Sequence, residues 1–215
     1  MKELLSGPHR DASADVSLGG RGGASRIRVR DTTLYLRRCL RGGLVRFVVH
    51  DLYFGRPLRP LRELLATETA RSSGCLVPKV IAVAVQSWGP VYRGWVVTEE
   101  VAGGRSWYAS YRKGGADERR RLLEGAGRAM RALVCAGVYH ADLNATNLLI
   151  TGEEKVAVID FDRAAIARPG VERRSRRGRD RFWRSLVKLE ARAGAFPTEQ
   201  ERRWLEQAYE LCAAE

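Results

Sequence analysis

Two stretches decide how this chain is read: Val138-Tyr139-His140-Ala141-Asp142-Leu143-Asn144-Ala145-Thr146-Asn147, and Val156-Ala157-Val158-Ile159-Asp160-Phe161-Asp162. The first is a short polar loop that presents a carboxylate, Asp142, and then a neutral amide, Asn147. The second is an apolar run that delivers Asp160 at its end. Two strand-sized segments, Leu148 to Ile150 after the first stretch and Val156 to Ile159 opening the second, flank the turn Gly152-Glu153-Glu154. Moving a γ-phosphate onto a hydroxyl requires these groups: a carboxylate that accepts the hydroxyl proton, and oxygen ligands that hold a magnesium ion on the phosphates. Asp142 suits the first task, and Asn147 with Asp160 the second. Either stretch alone is a weak signal, because an Asp at a strand end is common. Both, in this order and with these strands, form a specific pattern.

Working outward, Glu118 to Gly137 reads as a long amphipathic helix ahead of the loop. Leu122, Leu123, Ala126, Met130, Leu133 and Val134 recur at three- and four-residue steps, and Gly137 ends it. After the second stretch, Asp180 to Ala193 and Thr198 to Ala213 read as helices, with Thr198 and Glu201 as a capping box. The first hundred or so residues differ in character. Arg26 to Arg30 alternates with a period of two, Asp31-Thr32-Thr33 is a turn, Leu34 to Leu40 is a strand, and Leu44 to His50 resumes apolar character after Arg41-Gly42-Gly43. Leu61 to Ser73 is helical, with Leu61, Leu64, Leu65 and Thr69 along one face and Gly74 as its stop. Val77 to Gln86 and Arg93 to Thr98 are strands around a turn at Trp88-Gly89-Pro90. The expected class is α+β in two lobes. Residues 1–18 are a lead-in, 19–100 a β-rich N-terminal lobe and 101–215 a mainly helical catalytic lobe. A cleft between two such lobes is a natural nucleotide site.

Composition bounds the class further. The 215 residues are 45% apolar and carry a formal net charge of +13, which fits a folded protein with an anionic partner. The surplus is nearly all arginine, which forks onto phosphate. Cys39, Cys75, Cys135 and Cys212 stand far apart with no CxxC pair, which argues against zinc and suits a reducing cytoplasm. No stretch approaches the ~20 apolar residues that span a bilayer.

The loop His140 to Asn147 resembles the H-R-D-L-x-x-x-N catalytic loop of protein kinases, and Asp160-Phe161-Asp162 stands where their D-F-G lies. In that frame ATP and Mg2+ are the expected cofactors. Gly20, Gly22 and Gly23 belong to a glycine cluster suited to covering phosphates. Leu34-Tyr35-Leu36-Arg37 has the V-A-I-K pattern with arginine in the cation slot. Alternation directs Leu34 and Leu36 to the core and Tyr35 and Arg37 to the cleft. Arg38 is the competing cation. Its helix partner is Glu63, with Glu68 the alternative. Glu99-Glu100-Val101 is the expected connector, whose backbone at Glu99 and Val101 would meet adenine. His140 is expected to brace backbone rather than to act as a base. Trp183 and the Arg173 to Arg184 cluster could bind a phosphorylated glycolipid or be a solvated basic helix.

The chain resembles the lipopolysaccharide core kinases, especially the 3-deoxy-D-manno-octulosonic acid (Kdo) kinases. The resemblance runs through Gly20 to Ala24, Leu36 to Leu44, His140 to Asn144 with Asn147, Asp160 to Arg163 and Arg184 to Lys188. It implies ATP-dependent phosphorylation of the 4-hydroxyl of a Kdo sugar on a lipid A precursor. It also implies work at the cytoplasmic face of the inner membrane; a peripheral monomer on an anionic surface, without a nucleic-acid partner, is the expected state. Cys39 replaces the family's usual aromatic, Ala141 replaces the kinase-loop arginine, and Asp162 replaces the D-F-G glycine. The alternatives are a protein- or RNA-linked kinase of the same fold and a non-catalytic nucleotide or lipid sensor.

Overall fold

The computed structural model describes residues 17–18, 24–39, 53–54, 58–166 and 171–211. The expected lead-in up to residue 16, the cluster holding Gly20, Gly22 and Gly23, and the segment Leu44 to His50 lie outside the described residues. Contacts divide the chain into two compact units. One is drawn from Met1–Pro60 and Val80–Glu100, the other from Leu61–Lys79 and Val101–Glu215.

The first unit is an antiparallel sheet of β1 (Ser17–Leu18), β2 (Ala24–Val29), β3 (Thr32–Arg38), β4 (Tyr53–Phe54), β5 (Val80–Trp88) and β6 (Val91–Glu99). Strand β6 is its axis: β3 and β4 pair along one edge of it and β5 along the other, while β2 pairs β3 and β1 pairs β2. Alternation along β6 buries Tyr92 and Val96, which cluster with Cys39 and Tyr53; Tyr53 and Tyr92 stack at 5.3 Å. On β3 the expected core placement of Leu34 and Leu36 is corrected. Arg37 lies opposite Val96, so Arg37 and Tyr35 share the face that carries the buried cluster. Leu34 and Leu36 are only half-buried and belong to no core cluster. The hydrophobic face of this strand is set by its cross-strand partners, which its own alternation does not reveal.

The second unit holds the larger core. Helix α1 (Leu58–Ser72) contributes Ala66 and Ala70 to it. The expected apolar face is overturned: Leu61 and Leu65 are exposed, and the buried positions are Glu63, Ala66, Thr67 and Ala70. Small residues let the helix approach closely, and Thr67 Oγ1 donates to the Glu63 carbonyl at 2.8 Å, so its hydroxyl is satisfied inside. The segment Leu61–Lys79, read from sequence with the first lobe, packs with this second unit. Strands β7 (Arg105–Ser106), β9 (Leu148–Ile150) and β10 (Val156–Val158) form a small antiparallel sheet, and β8 (Val138–His140) pairs β11 (Ala164–Ile166). The helices are α2 (Trp107–Lys113), α3 (Ala116–Cys135), α4 (Val171–Ala191) and α5 (Glu199–Leu211).

Helix α2 is too short to show a period and has no place in the sequence reading, yet it anchors the core. Ser106 caps it by accepting from the Ala109 N–H at 3.2 Å. Trp107 and Tyr111, one turn apart, are fully buried and stacked at 5.3 Å; Phe182 of α4 meets Trp107 edge-on at 5.4 Å. Such pairs add about 0.5–1.5 kcal/mol beyond their burial. Trp107 Nε1 donates to the Leu122 carbonyl of α3 at 3.0 Å, and Tyr111 donates to Glu201 of α5 at 3.1 Å. The expected capping box is present: the Thr198 N–H donates to Glu201 Oε2 at 2.6 Å, and the Glu201 N–H donates to Thr198 Oγ1 at 3.2 Å. Helix α4 begins nine residues earlier than expected, at Val171 rather than Asp180. Arginine-rich turns carry helix propensity without an apolar stripe, so the period fades before the helix does. Gly74 and Gly137, expected as stops, both take left-handed backbone, with φ of 82° and 67°.

Helices α3 and α5 approach closely at Gly127. A Cβ on Gly127 would stand 2.5 Å from the Leu205 carbonyl and 3.0 Å from the Tyr209 nitrogen, both backbone atoms. Gly127→Ala must therefore spread the helix pair, and urea denaturation is expected to show a loss of about 1–3 kcal/mol. An unchanged midpoint would mean that α5 shifts freely.

Candidate active site

Leu143 and Ala145 are buried, and they fasten the loop that follows β8 to the core. Between them and β9, Ala145–Asn147 makes one turn of 3-10 helix, capped by Asn144, whose Oδ1 accepts from the Thr146 N–H at 2.9 Å. Two amides then close the loop on one atom: Asn144 Nδ2 and Asn147 Nδ2 donate to the Asp142 carbonyl at 3.0 and 2.9 Å. The Asp142 carboxylate takes no part in that knot and is partly exposed. With Nδ2 committed, the Asn147 amide turns its Oδ1 the other way.

Asp160 comes to the same place by a second backbone link. The Ile159 N–H donates to the Asn147 carbonyl at 2.9 Å, so the end of β10 is tied to the end of the loop. The next residue, Asp160, has φ 65° and ψ 66°, in the left-handed region. A non-glycine residue there costs roughly 1–2 kcal/mol, though Asp tolerates it better than most. The turn leaves Asp160 exposed while Phe161 is buried. The second unit therefore brings Asp142, Asn147 and Asp160 to one loop cluster. Asn147 Oδ1 and the Asp160 carboxylate are hard oxygen donors of the kind a magnesium ion takes, so the residues present fit that ion.

His140 is buried, and its ring meets Phe161 edge-on at 5.1 Å. Its Nε2 lies 3.2 Å from the Ile159 carbonyl, an acceptor, so Nε2 carries the proton and donates. The ring braces the backbone just before Asp160. Burial, the largest influence, holds the imidazole below its ordinary value; the Ile159 carbonyl and the charges of Asp160 and Asp142 oppose this only in part.

Of the remaining expected residues, Glu63 is buried on α1. Arg37 stands next to the end of β3, opposite Ala24 on one side and Val96 on the other. Glu99 closes β6 opposite Leu34, and the Val101 carbonyl accepts from the Gly104 N–H at 2.9 Å in the turn that follows. Arg37 and Glu63 fall in different compact units.

Two features were missed in the sequence. In the first unit, Tyr35 donates to Glu100 Oε1 at 2.9 Å and Arg26 donates to Glu100 Oε2 at 3.3 Å. Burial alone would raise the Glu100 carboxyl. The bonds from Tyr35 and Arg26 and the Arg26 charge outweigh it and hold the group below its usual range. Burial, then Glu100, push the Tyr35 phenol up. In the second unit, Arg181 Nη2 reaches Asp142 Oδ1 at 2.6 Å, and the Ala145 N–H donates to Ser185 Oγ at 3.1 Å. Arg181 and Ser185 are one helical turn apart. That i, i+4 spacing inside the basic tract was the available signal, but it gains meaning only once α4 is known to lie against the loop.

This arrangement of loop, strand and carboxylates defines a protein-kinase-like phosphotransferase that acts on an alcohol group. A chain of the yeast RNA Pol II CTD kinase complex has a similar fold, with a TM-score of 0.51 at 14% identity; the match covers 77% of this chain and half of that one. The sequence matches the lipopolysaccharide kinase (Kdo/WaaP) family over residues 11–209, and the chain belongs to that family. It is 33% identical over 212 residues to a 3-deoxy-D-manno-octulosonic acid kinase of Stenotrophomonas maltophilia, covering 97% of this chain and 84% of that protein. A 3-deoxy-D-manno-octulosonic acid kinase of Vibrio cholerae is 32% identical over 153 residues, 70% of this chain and 64% of that protein.

Because His140 is held neutral by the fold and has its ordinary value when unfolded, the unfolded chain binds the extra proton first as pH falls. The stability that neutral His140 contributes is present above about 6.5, the ordinary imidazole value, and is lost as pH falls below it. Unfolding free energies measured between pH 7.5 and 5.5 are expected to decline, and His140→Asn should flatten part of that slope. An equal slope in the variant would place the linkage elsewhere.

Proposed function

We propose that this protein transfers the γ-phosphate of ATP to the 4-hydroxyl of a Kdo sugar on a lipid A precursor. The observation that carries the reading is the near-full-length likeness to 3-deoxy-D-manno-octulosonic acid kinases. The loop geometry supplies a matching chemistry. Asp142 accepts the proton of the sugar hydroxyl as its oxygen attacks the γ-phosphorus. The bond to the bridging oxygen breaks, and ADP leaves with that electron pair. Asn147 and Asp160 would hold a magnesium ion, whose chemistry there is to neutralise charge on the phosphates. The Leu34–Arg37 pattern supports Arg37 as a phosphate cation, an assignment that rests on the sequence.

Peripheral attachment at the cytoplasmic face of the inner membrane goes with this reading. Among the described residues no helix is long and apolar enough to cross a membrane, while a net charge of +13 favours an anionic leaflet. A monomer suffices for the chemistry, since the catalytic loop draws its residues from one chain.

With Mg-ATP and Kdo-bearing lipid A precursor, phosphate should appear on the sugar. Asp142→Asn should lower turnover by about 10²–10⁴-fold with little change in thermal stability, the range typical of losing a positioned proton acceptor. Transfer to a protein in place of the glycolipid, or full activity in Asp142→Asn, would overturn the assignment.

A further inference from the structure

Asp142 is not left to itself. The guanidinium of Arg181, on α4, holds its carboxylate through Nη2 at 2.6 Å. The placement is built rather than incidental, because one turn further along α4 Ser185 receives the Ala145 N–H of the same loop. Phe182 and Leu186 are fully buried on the inner side of the helix, which fixes its rotation. Arg177, Arg181, Arg184 and Lys188 recur at steps of four, three and four, so they share one face, and all four are exposed. Among the described residues, no carboxylate pairs with Arg177, Arg184 or Lys188. Arg179, on another face, is instead held near Asp180, Glu206 and Glu210. The stripe is thus a cationic surface in which, among the described residues, only Arg181 meets a carboxylate, that of Asp142.

An arginine there creates a conflict unless it has a second partner. A guanidinium on Asp142 occupies a lone pair of the carboxylate that a hydroxyl must use. The pair is half-exposed, with side-chain accessibilities of 48% and 34%, and ion pairs of that kind hold only about 0.2–1 kcal/mol. It can therefore be loosened or shared by an incoming anion at small cost. The contact uses Nη2, and guanidinium donors form a planar fork with further edges suited to a carboxylate. An octulosonic acid carries its carboxylate on the anomeric carbon, and the 4-hydroxyl lies two ring carbons away. When that hydroxyl meets Asp142, the acid group falls in the neighbourhood of Arg181.

We propose that Arg181 is the specificity-determining residue for the acceptor: its guanidinium binds the sugar's carboxylate and releases Asp142 to the hydroxyl. This inference rests on the functional reading above. It makes the acid group part of what the enzyme recognises and sets the acceptor apart from neutral sugars.

The test uses the full chain, Mg-ATP, Kdo glycolipid and the same glycolipid methyl-esterified at the Kdo carboxyl. The unmodified protein should prefer acid to ester by about 10–100-fold in kcat/KM, the size of a hydrogen bond to a charged group. Arg181→Gln should lose that preference, chiefly through KM for the acid, with KM for ATP unchanged; the exposed Arg192→Gln should behave as the unmodified protein does. Removing the lipid A phosphates should not change the effect of Arg181→Gln. An undiminished preference for acid in Arg181→Gln overturns the proposal, as does an effect of Arg181→Gln that disappears with the phosphates. If no phosphate reaches the glycolipid at all, the functional reading fails on its own. Calorimetric titration with free Kdo then decides about Arg181: binding that Arg181→Gln weakens sustains the inference, and unchanged or absent binding overturns it.

Discussion

Asn147 is the residue through which the catalytic loop becomes a site. Its side-chain amide closes the loop on the Asp142 carbonyl, and its backbone carbonyl takes the Ile159 N–H at the end of β10. One residue thereby ties down Asp142 on one side and the backbone ahead of Asp160 on the other. A residue that made only one of these two contacts would do half this work. Asparagine has a donor and an acceptor on one planar group, so it can be structural through nitrogen and leave oxygen for the ion. Aspartate at this position would lose the donor and set a carboxylate against a carbonyl.

The surrounding structure serves that link. His140 braces the Ile159 carbonyl and Phe161 covers the imidazole, so the turn at Asp160 is held from behind while its left-handed backbone aims the carboxylate outward. Stiffness further out comes from α2. Trp107 and Tyr111 tie α3, α4 and α5 together through a stacked pair, an edge contact and two hydrogen bonds. Helix α4 presses Ser185 and Arg181 onto the loop because Phe182 and Leu186 hold its inner face in that core. A basic helix has thus been made part of the site by its apolar side.

Much of the second unit was legible because its signals are local. The spacing of Asp142, Asn147 and Asp160, the stripe on α3, the Thr198–Glu201 box and the stop at Gly137 each depend on neighbours a few residues away. The misreadings share a different cause. On α1 the leucines suggested the inner face, but close packing favoured Ala66 and Ala70, and exposed leucines are tolerated on any surface. On β3 the alternation was visible but its sign was not, since the inner face is chosen by Val96 on a strand far along the chain. The short α2 offered no period to count.

The sequence by itself determined the chemistry and the family: which residues could accept a proton or hold a cation, and in what order, because that logic is written in residue type and short spacing. Only the tertiary structure decided which distant groups stand beside them. Arg181 against Asp142, Ser185 under Ala145, and Glu100 held by Tyr35 and Arg26 all join residues tens of positions apart. Such contacts follow from how helices and strands pack, and packing is a property of the whole core rather than of any window of sequence.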